Sequence, residues 1–203
     1  MSTPRRRSAT RARLLEGALD VLAERGYGAA SVEDICAAAG FTRGAFYSNF
    51  SSKDELVLAL FEATTDRLLA QIEALLPALG DEPQSLLDAV LGLLDTEPDQ
   101  RRWHLISAEF MLHALRNPAA ATAWAEQRTT FRRRLTELVE SIVAAGNLEM
   151  TVDPALFVRL VIALHEGARA QSLLEPADLP AGTLEHTFLP TVLDAVTRPA
   201  PRT

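Results

Sequence analysis

From Thr10 almost to its end, the chain carries apolar stripes at helical spacing, separated by short breaks rich in glycine, proline and polar residues. Leu14, Leu15, Ala18, Leu19 and Leu22 recur at the spacing of one helix face. Gly26 and Gly28 end that helix, with Gly26 placed to take the left-handed position after its last turn. Ser31 is a good N-cap for a short second helix, and Asp34 puts a carboxylate near the positive end. Val32, Ile35, Cys36 and Ala39 form its buried face. Gly40 breaks the pattern, and Thr42 caps a third short helix whose apolar contacts are Phe41, Phe46 and Phe50. Ser51-Ser52 then precede Lys53-Asp54-Glu55, the start of a long amphipathic helix bearing Leu56, Leu60, Ala63, Leu68, Ile72 and Leu75.

Beyond Pro77 the punctuation is regular. Gly80-Asp81-Glu82-Pro83 precedes a helix over Gln84–Thr96, and Glu97-Pro98-Asp99 opens another to about Arg116. Asn117-Pro118 opens the next, which Gly146-Asn147 ends. Asp153-Pro154 pairs an N-cap with proline at the first helical position, for a helix reaching Glu175. A last helix spans about Thr183–Thr197, with Pro190 expected to kink it. Runs of β-branched residues with period two are absent, so no strand is expected. The pattern predicts an all-α chain of nine helices, three in an N-terminal head and six in a C-terminal body.

Charge is uneven along this pattern. Residues 1–53 hold eight basic side chains against five acidic ones, +3, so a chain of net charge −7 carries −10 over residues 54–203. The head therefore fits a polyanion that the body would repel. The basic start MSTPRRRSATRAR has no apolar segment behind it, and no run approaches the roughly 18 apolar residues of a membrane span. A cytoplasmic protein without membrane association is expected. The single cysteine, Cys36, excludes an internal disulfide and reads as a small core residue. His104, His113, His165 and His186 are scattered, and the adjacent His165-Glu166 point to different helix faces, so no metal site is expected. Glycine-rich phosphate loops and nucleophile motifs are missing too, which leaves no cofactor and no enzyme chemistry to assign.

The two short helices meeting across Ala39-Gly40-Phe41 have helix-turn-helix proportions. The string SVEDICAAAGFTRGAFYSNFSSKDELVLAL over residues 31–60 is more specific. Its Gly40-Phe41-Thr42 turn, its Phe46-Tyr47-x-x-Phe50 box and its Lys53-Asp54-Glu55-Leu56 start follow a first helix ending in Gly26-Tyr27. Together they closely resemble the DNA-binding head of the TetR family of bacterial regulators. The resemblance covers residues 10–60 in detail and the remainder only in length and helix pattern. It implies a disordered basic arm over 1–9, a helix-turn-helix domain over 10–53, and a ligand-binding and dimerisation domain over 54–203.

Three helix N-termini, at Ser31, Thr42 and Ser52-Lys53, suit phosphate oxygens. Lys53, the only lysine in the chain, would add a full charge there; the bland alternative is a solvated side chain. Tyr47 matches a family tyrosine that touches phosphate, against the alternative of a core aromatic with an exposed tip. Arg43 is the candidate for base readout through the paired acceptors of guanine, or else a phosphate contact. Gly44 and Ala45 remove bulk so that the recognition helix sits deep in the major groove. Ser48 and Asn49 project from the same helix, with Asn49 near phosphate in the family.

In the body, Arg132-Arg133-Arg134 reads as a solvated or internally paired run rather than a second nucleic-acid site. Trp103, Phe110, Trp124 and Phe131 lie on consecutive helices with His104 and His113 among them. Each alone reads as ordinary core, yet the family encloses an apolar effector cavity in the corresponding helices. The family also pairs its last two helices between subunits, which nominates Leu160, Leu164, Gly167, Ala168, Phe188, Val192 and Val196 for a homodimer seam. The resulting expectation is a repressor on a palindromic double-stranded operator, released by a small apolar effector. The alternatives are a helical-cavity enzyme or carrier with a vestigial head, and an activator or ligand-independent regulator.

Overall fold

A computed structural model describes the backbone of residues 4–79, 83–96 and 100–201. The breaks expected at Gly80-Asp81-Glu82 and Glu97-Pro98-Asp99 lie outside the described residues. Nine α-helices follow in order: α1 (Pro4–Ala29), α2 (Val32–Ala39), α3 (Arg43–Tyr47), α4 (Lys53–Leu79), α5 (Pro83–Thr96), α6 (Gln100–Arg116), α7 (Pro118–Ala145), α8 (Pro154–Leu174) and α9 (Thr183–Val196). The helix count and the all-α class agree with the periodicity. None of these helices, over the described residues, is long and apolar enough to cross a membrane.

Three features depart from expectation. The segment 4–9, expected as a disordered arm, is the first part of α1. Pro4 opens the helix and arginines propagate it at little cost, so nothing in the local sequence stops it. Gly26 has positive φ (79°) with ψ 157°, and the helical run resumes beyond it to Ala29. Only glycine holds that backbone without strain. Two three-residue strands, β1 (Leu148–Met150) and β2 (Thr197–Pro199), pair antiparallel with Leu148 opposite Pro199 and Met150 opposite Thr197. Pairs this short arise from chain ends brought together by packing and leave no period-two signature.

The helices form two compact units, one of residues 1–65 with 99–127, the other of 66–98 with 128–203. α4 and α7 each contribute to both, so the division does not fall at a single boundary near residue 53.

The first unit is built on α1, which packs on α2 and α6. Its core contains Leu14, Ala18, Leu22, Ile35, Phe46, Phe50, Leu56 and Phe110, all essentially inaccessible. Removing one such phenylalanine from water stabilises the head by about 1.5–3 kcal/mol. α1 and α2 approach closely at Gly17, where a Cβ would lie 2.9 Å from the Ala39 backbone nitrogen. In the second unit α8 packs on α9, and α9 also meets α5.

Candidate nucleic-acid interface and effector cavity

The helix-turn-helix is assembled by caps written into its sequence. Ser31 and Asp34 form a reciprocal capping box, Asp34 N donating to Ser31 Oγ at 3.1 Å and Ser31 N to Asp34 Oδ2 at 3.0 Å. The Ser31 bonds, followed by Arg25 at 2.6 Å, hold the Asp34 carboxyl below the usual carboxylate range. Gly40 ends α2 at φ 71°, and Thr42 caps α3, its Oγ1 accepting from Ala45 N at 3.3 Å. At the start of α4, Ser52 Oγ accepts from Glu55 N, and Ser51 gives both its N–H and hydroxyl to Glu55 Oε2. The carboxylates of Asp34 and Glu55 thus already occupy two of the three helix N-termini expected to receive phosphate. The first turn of α3 has no acid.

On α3, Phe46 turns wholly inward while Thr42, Arg43, Gly44, Tyr47 and Ser48 are exposed and Ala45 is partly so. Ser48 Oγ and Asn49 Nδ2 both donate to the Ala45 carbonyl, which closes the helix. Arg43 pairs with Glu33 of α2 and lies 5.8 Å over the Tyr47 ring. Arg7, on the segment expected as an arm, donates to the Ser48 carbonyl at 3.1 Å. Arg13 reaches the Ala39 carbonyl at 3.2 Å and lies over Phe41. Lys53 is not a free surface charge. Its Nζ donates to the Tyr27 and Ala30 carbonyls, and burial pulls its pKa down.

Beneath this surface α6 is tied to α1 and α4. Glu109 accepts the Tyr27 N–H, and the Tyr27 hydroxyl donates to Asp54, whose other oxygen lies 3.2 Å from His113 Nε2. Burial, then Asp54, pushes the Tyr27 pKa up, so its hydroxyl stays a donor. Sequence reasoning missed Glu33, Glu109 and Asp54 as partners, because each is set by contacts between helices that periodicity does not encode.

The second unit contains a cavity of about 110 Å³ lined entirely by apolar side chains. Ile72 of α4, Leu87 and Val90 of α5, Leu135, Leu138, Val139, Ile142 and Val143 of α7, Phe157, Val158 and Val161 of α8, and Leu189 and Leu193 of α9 enclose it. Trp103, His104, Phe110, His113, Trp124 and Phe131 are not among these residues. Phe110 is fully buried in the first unit against Tyr27 and Trp124, and Trp103 packs on Phe61. The aromatic residues went to the core, the destination their area favours, while the cavity fell among aliphatic stripes. Phe131 is partly buried in the second unit.

Among the seam candidates Leu160, Gly167 and Phe188 are exposed, whereas Leu164, Val192 and Val196 are partly covered. Ala168 is buried within its own protomer, which places its methyl on the packed face rather than on a free surface. Leu156 and Leu174 share the exposed side with Leu160 and Gly167, at spacings that keep one α8 face apolar. Among the described residues no cluster of three or more His, Cys, Asp or Glu side chains could hold a metal.

Comparison with known proteins matches these two parts separately. Residues 14–60 match "Bacterial regulatory proteins, tetR family", and residues 82–196 match "BetI-type transcriptional repressor, C-terminal". The chain belongs to the TetR family. It is a DNA-binding transcriptional regulator and not an enzyme. The transcriptional repressor AcnR of Corynebacterium glutamicum is 26% identical over 86% of this chain and 92% of its own. The transcriptional activator FasR of Mycolicibacterium smegmatis is 36% identical over 49% and 46%. TetR-family relatives thus include both signs of regulation. A putative TetR-family regulator from a Rhodococcus species shares the fold, at TM-score 0.76 and 22% identity over 93% of this chain and 98% of that one.

Proposed function

We propose that this regulator is a homodimeric repressor that occupies a palindromic operator through two heads and leaves it when a small apolar molecule enters the second unit. The observation that carries the effector half is the apolar cavity among α4, α5, α7, α8 and α9. A closed space that would otherwise be filled by side chains costs stability, and a buried apolar ligand recovers it. The α3 surface supports the DNA half. Phosphate contacts from Thr42 and Tyr47 would position the head, and Arg43 would read a base edge while Gly44 and Ala45 permit close approach. Ser31 and Asn49 act mainly by fixing the helices that carry those groups.

Two heads on one operator face must match a half-site spacing of about 34–36 Å or a multiple of it. An effector that binds the mismatched arrangement more tightly releases DNA, and a coupling of about 1–3 kcal/mol gives 5- to 150-fold weaker binding. α4 contributes to both units and is the covalent route for such a change. The test pairs calorimetric titration of single-ring and short-chain hydrophobic compounds with operator release by the same compounds. Compounds that bind while operator affinity stays unchanged would refute the switch; compounds that tighten operator binding would make the protein an activator of the FasR kind. Tryptophan quenching is a poor reporter, because Trp103 and Trp124 lie in the first unit.

A further inference from the structure

The stripes that line the cavity end on a polar pair. On α8, His165 follows the lining residue Val161 by four positions; on α9, Glu185 precedes the lining residue Leu189 by four. Residues four apart stack along one helix face, about 6 Å on. Glu185, Leu189 and Leu193 are the buried residues of α9, so the carboxylate continues the same inward face. His165 Nδ1 lies 3.0 Å from Glu185 Oε1. Glu185 is only 4% exposed, and its second oxygen, Oε2, is buried without a hydrogen-bond partner.

A buried carboxylate oxygen without a donor is costly, and native proteins rarely tolerate one without a use. Neutralising the group by protonation would relieve the cost, but the acid stays ionised. Burial pushes its pKa up, yet hydrogen bonds from His165 and its own backbone, with the charges of His165 and Arg169, outweigh this and leave it below the usual range. Oε2 therefore accepts and does not donate. Arg169, itself buried on α8, already contributes positive charge, so an incoming group need not be a cation.

We propose that Glu185 Oε2 anchors the hydroxyl or amide N–H of the effector, and that the cavity takes a small neutral hydrogen-bond donor on an apolar body in preference to a pure hydrocarbon. The proposal rests on reading the cavity as the effector site. Its volume of about 110 Å³ sets the scale of the apolar body, since an apolar cavity of roughly 150 Å³ holds benzene. A single ring or a short chain fits.

The discriminating experiment compares phenol with toluene, which have nearly the same shape, by calorimetric titration of the full-length protein. Phenol binding at least about 10-fold tighter than toluene supports the proposal, because a donor to a charged acceptor outweighs a methyl contact. Glu185→Leu should then abolish or reverse the preference while toluene still binds. Glu185→Gln, which keeps an acceptor oxygen and is less disruptive to folding, should reduce the preference without reversing it. Equal affinities in the native protein, or an undiminished preference in either variant, would overturn the head-group assignment while leaving the cavity reading intact. Failure of both compounds to bind the native protein would overturn both.

Discussion

Lys53 Nζ donates to the Ala30 carbonyl oxygen at 2.7 Å, joining the first residue of α4 to the chain just beyond α1. The same nitrogen takes the Tyr27 carbonyl at 2.5 Å and sits 4.3 Å over the Tyr27 ring. A cation near the C-terminal end of a helix is electrostatically favoured, and here it satisfies carbonyls that the Gly26 break leaves unpaired. The lysine thus sets the angle at which α4 leaves the head, with one donor left over for a phosphate.

Lys53→Ala should therefore lower head stability by about 1–3 kcal/mol in urea unfolding, the cost of leaving buried acceptors without a charged donor. If it also contacts DNA, affinity falls for all sequences alike and the salt slope shrinks by about one. An unchanged slope beside lost stability would make Lys53 a structural residue alone.

Arg43 reaches DNA only by leaving Glu33. An exposed ion pair is worth about 0–1 kcal/mol, so Glu33→Gln should tighten operator binding by up to about five-fold with little change in stability. Arg43→Ala should cost roughly 1–3 kcal/mol at one base pair. A band-shift series over operator variants separates the two roles, because uniform loss would move Arg43 from base readout to phosphate contact.

The exposed apolar face of α8 and Phe188 of α9 give the dimer its seam. Leu160→Glu combined with Phe188→Glu, each at a side chain 51% exposed, should yield a folded monomer with much weaker operator binding. Sedimentation equilibrium checks the mass. Deleting α9 outright would be a worse test, since Leu189 and Leu193 also wall the cavity. A double variant that stays dimeric would place the interface elsewhere.

Acid should destabilise the protein through specific carboxylates. The folded pKa of Glu185 is depressed, so its contribution is complete above the unfolded value near pH 4.3 and disappears as pH falls through the lower folded value. Asp34 and Glu55, lowered by the Ser31 and Ser51 bonds, act in the same direction. Unfolding measured from pH 7 to pH 3 should show a steep loss below about pH 4. Glu185→Gln should flatten part of it; an unaltered profile would deny that the buried carboxylate is ionised.

The helical pattern, the caps at Ser31, Thr42 and Asp153, and the turn at Gly40 were legible in the sequence because each depends on neighbours within a few positions. So was the outward set on α3, since burying Phe46 and Phe50 leaves Arg43 and Tyr47 on the opposite side. The family resemblance rests on these same local features. Which aromatic residues would pack and which helices would leave a void was not legible. Phe110 and Trp124 looked suited to a ligand, but their large apolar area was taken up by α1 and α4 contacts in the first unit. The cavity formed instead where aliphatic side chains from five helices fail to fill their shared space. Likewise, Glu109 beneath Gly26, Glu33 beside Arg43 and Glu185 against His165 are pairs between distant helices. Local propensity sets where each helix begins and ends; only the packed tertiary structure decides which charges meet and which polar oxygen is left without a partner.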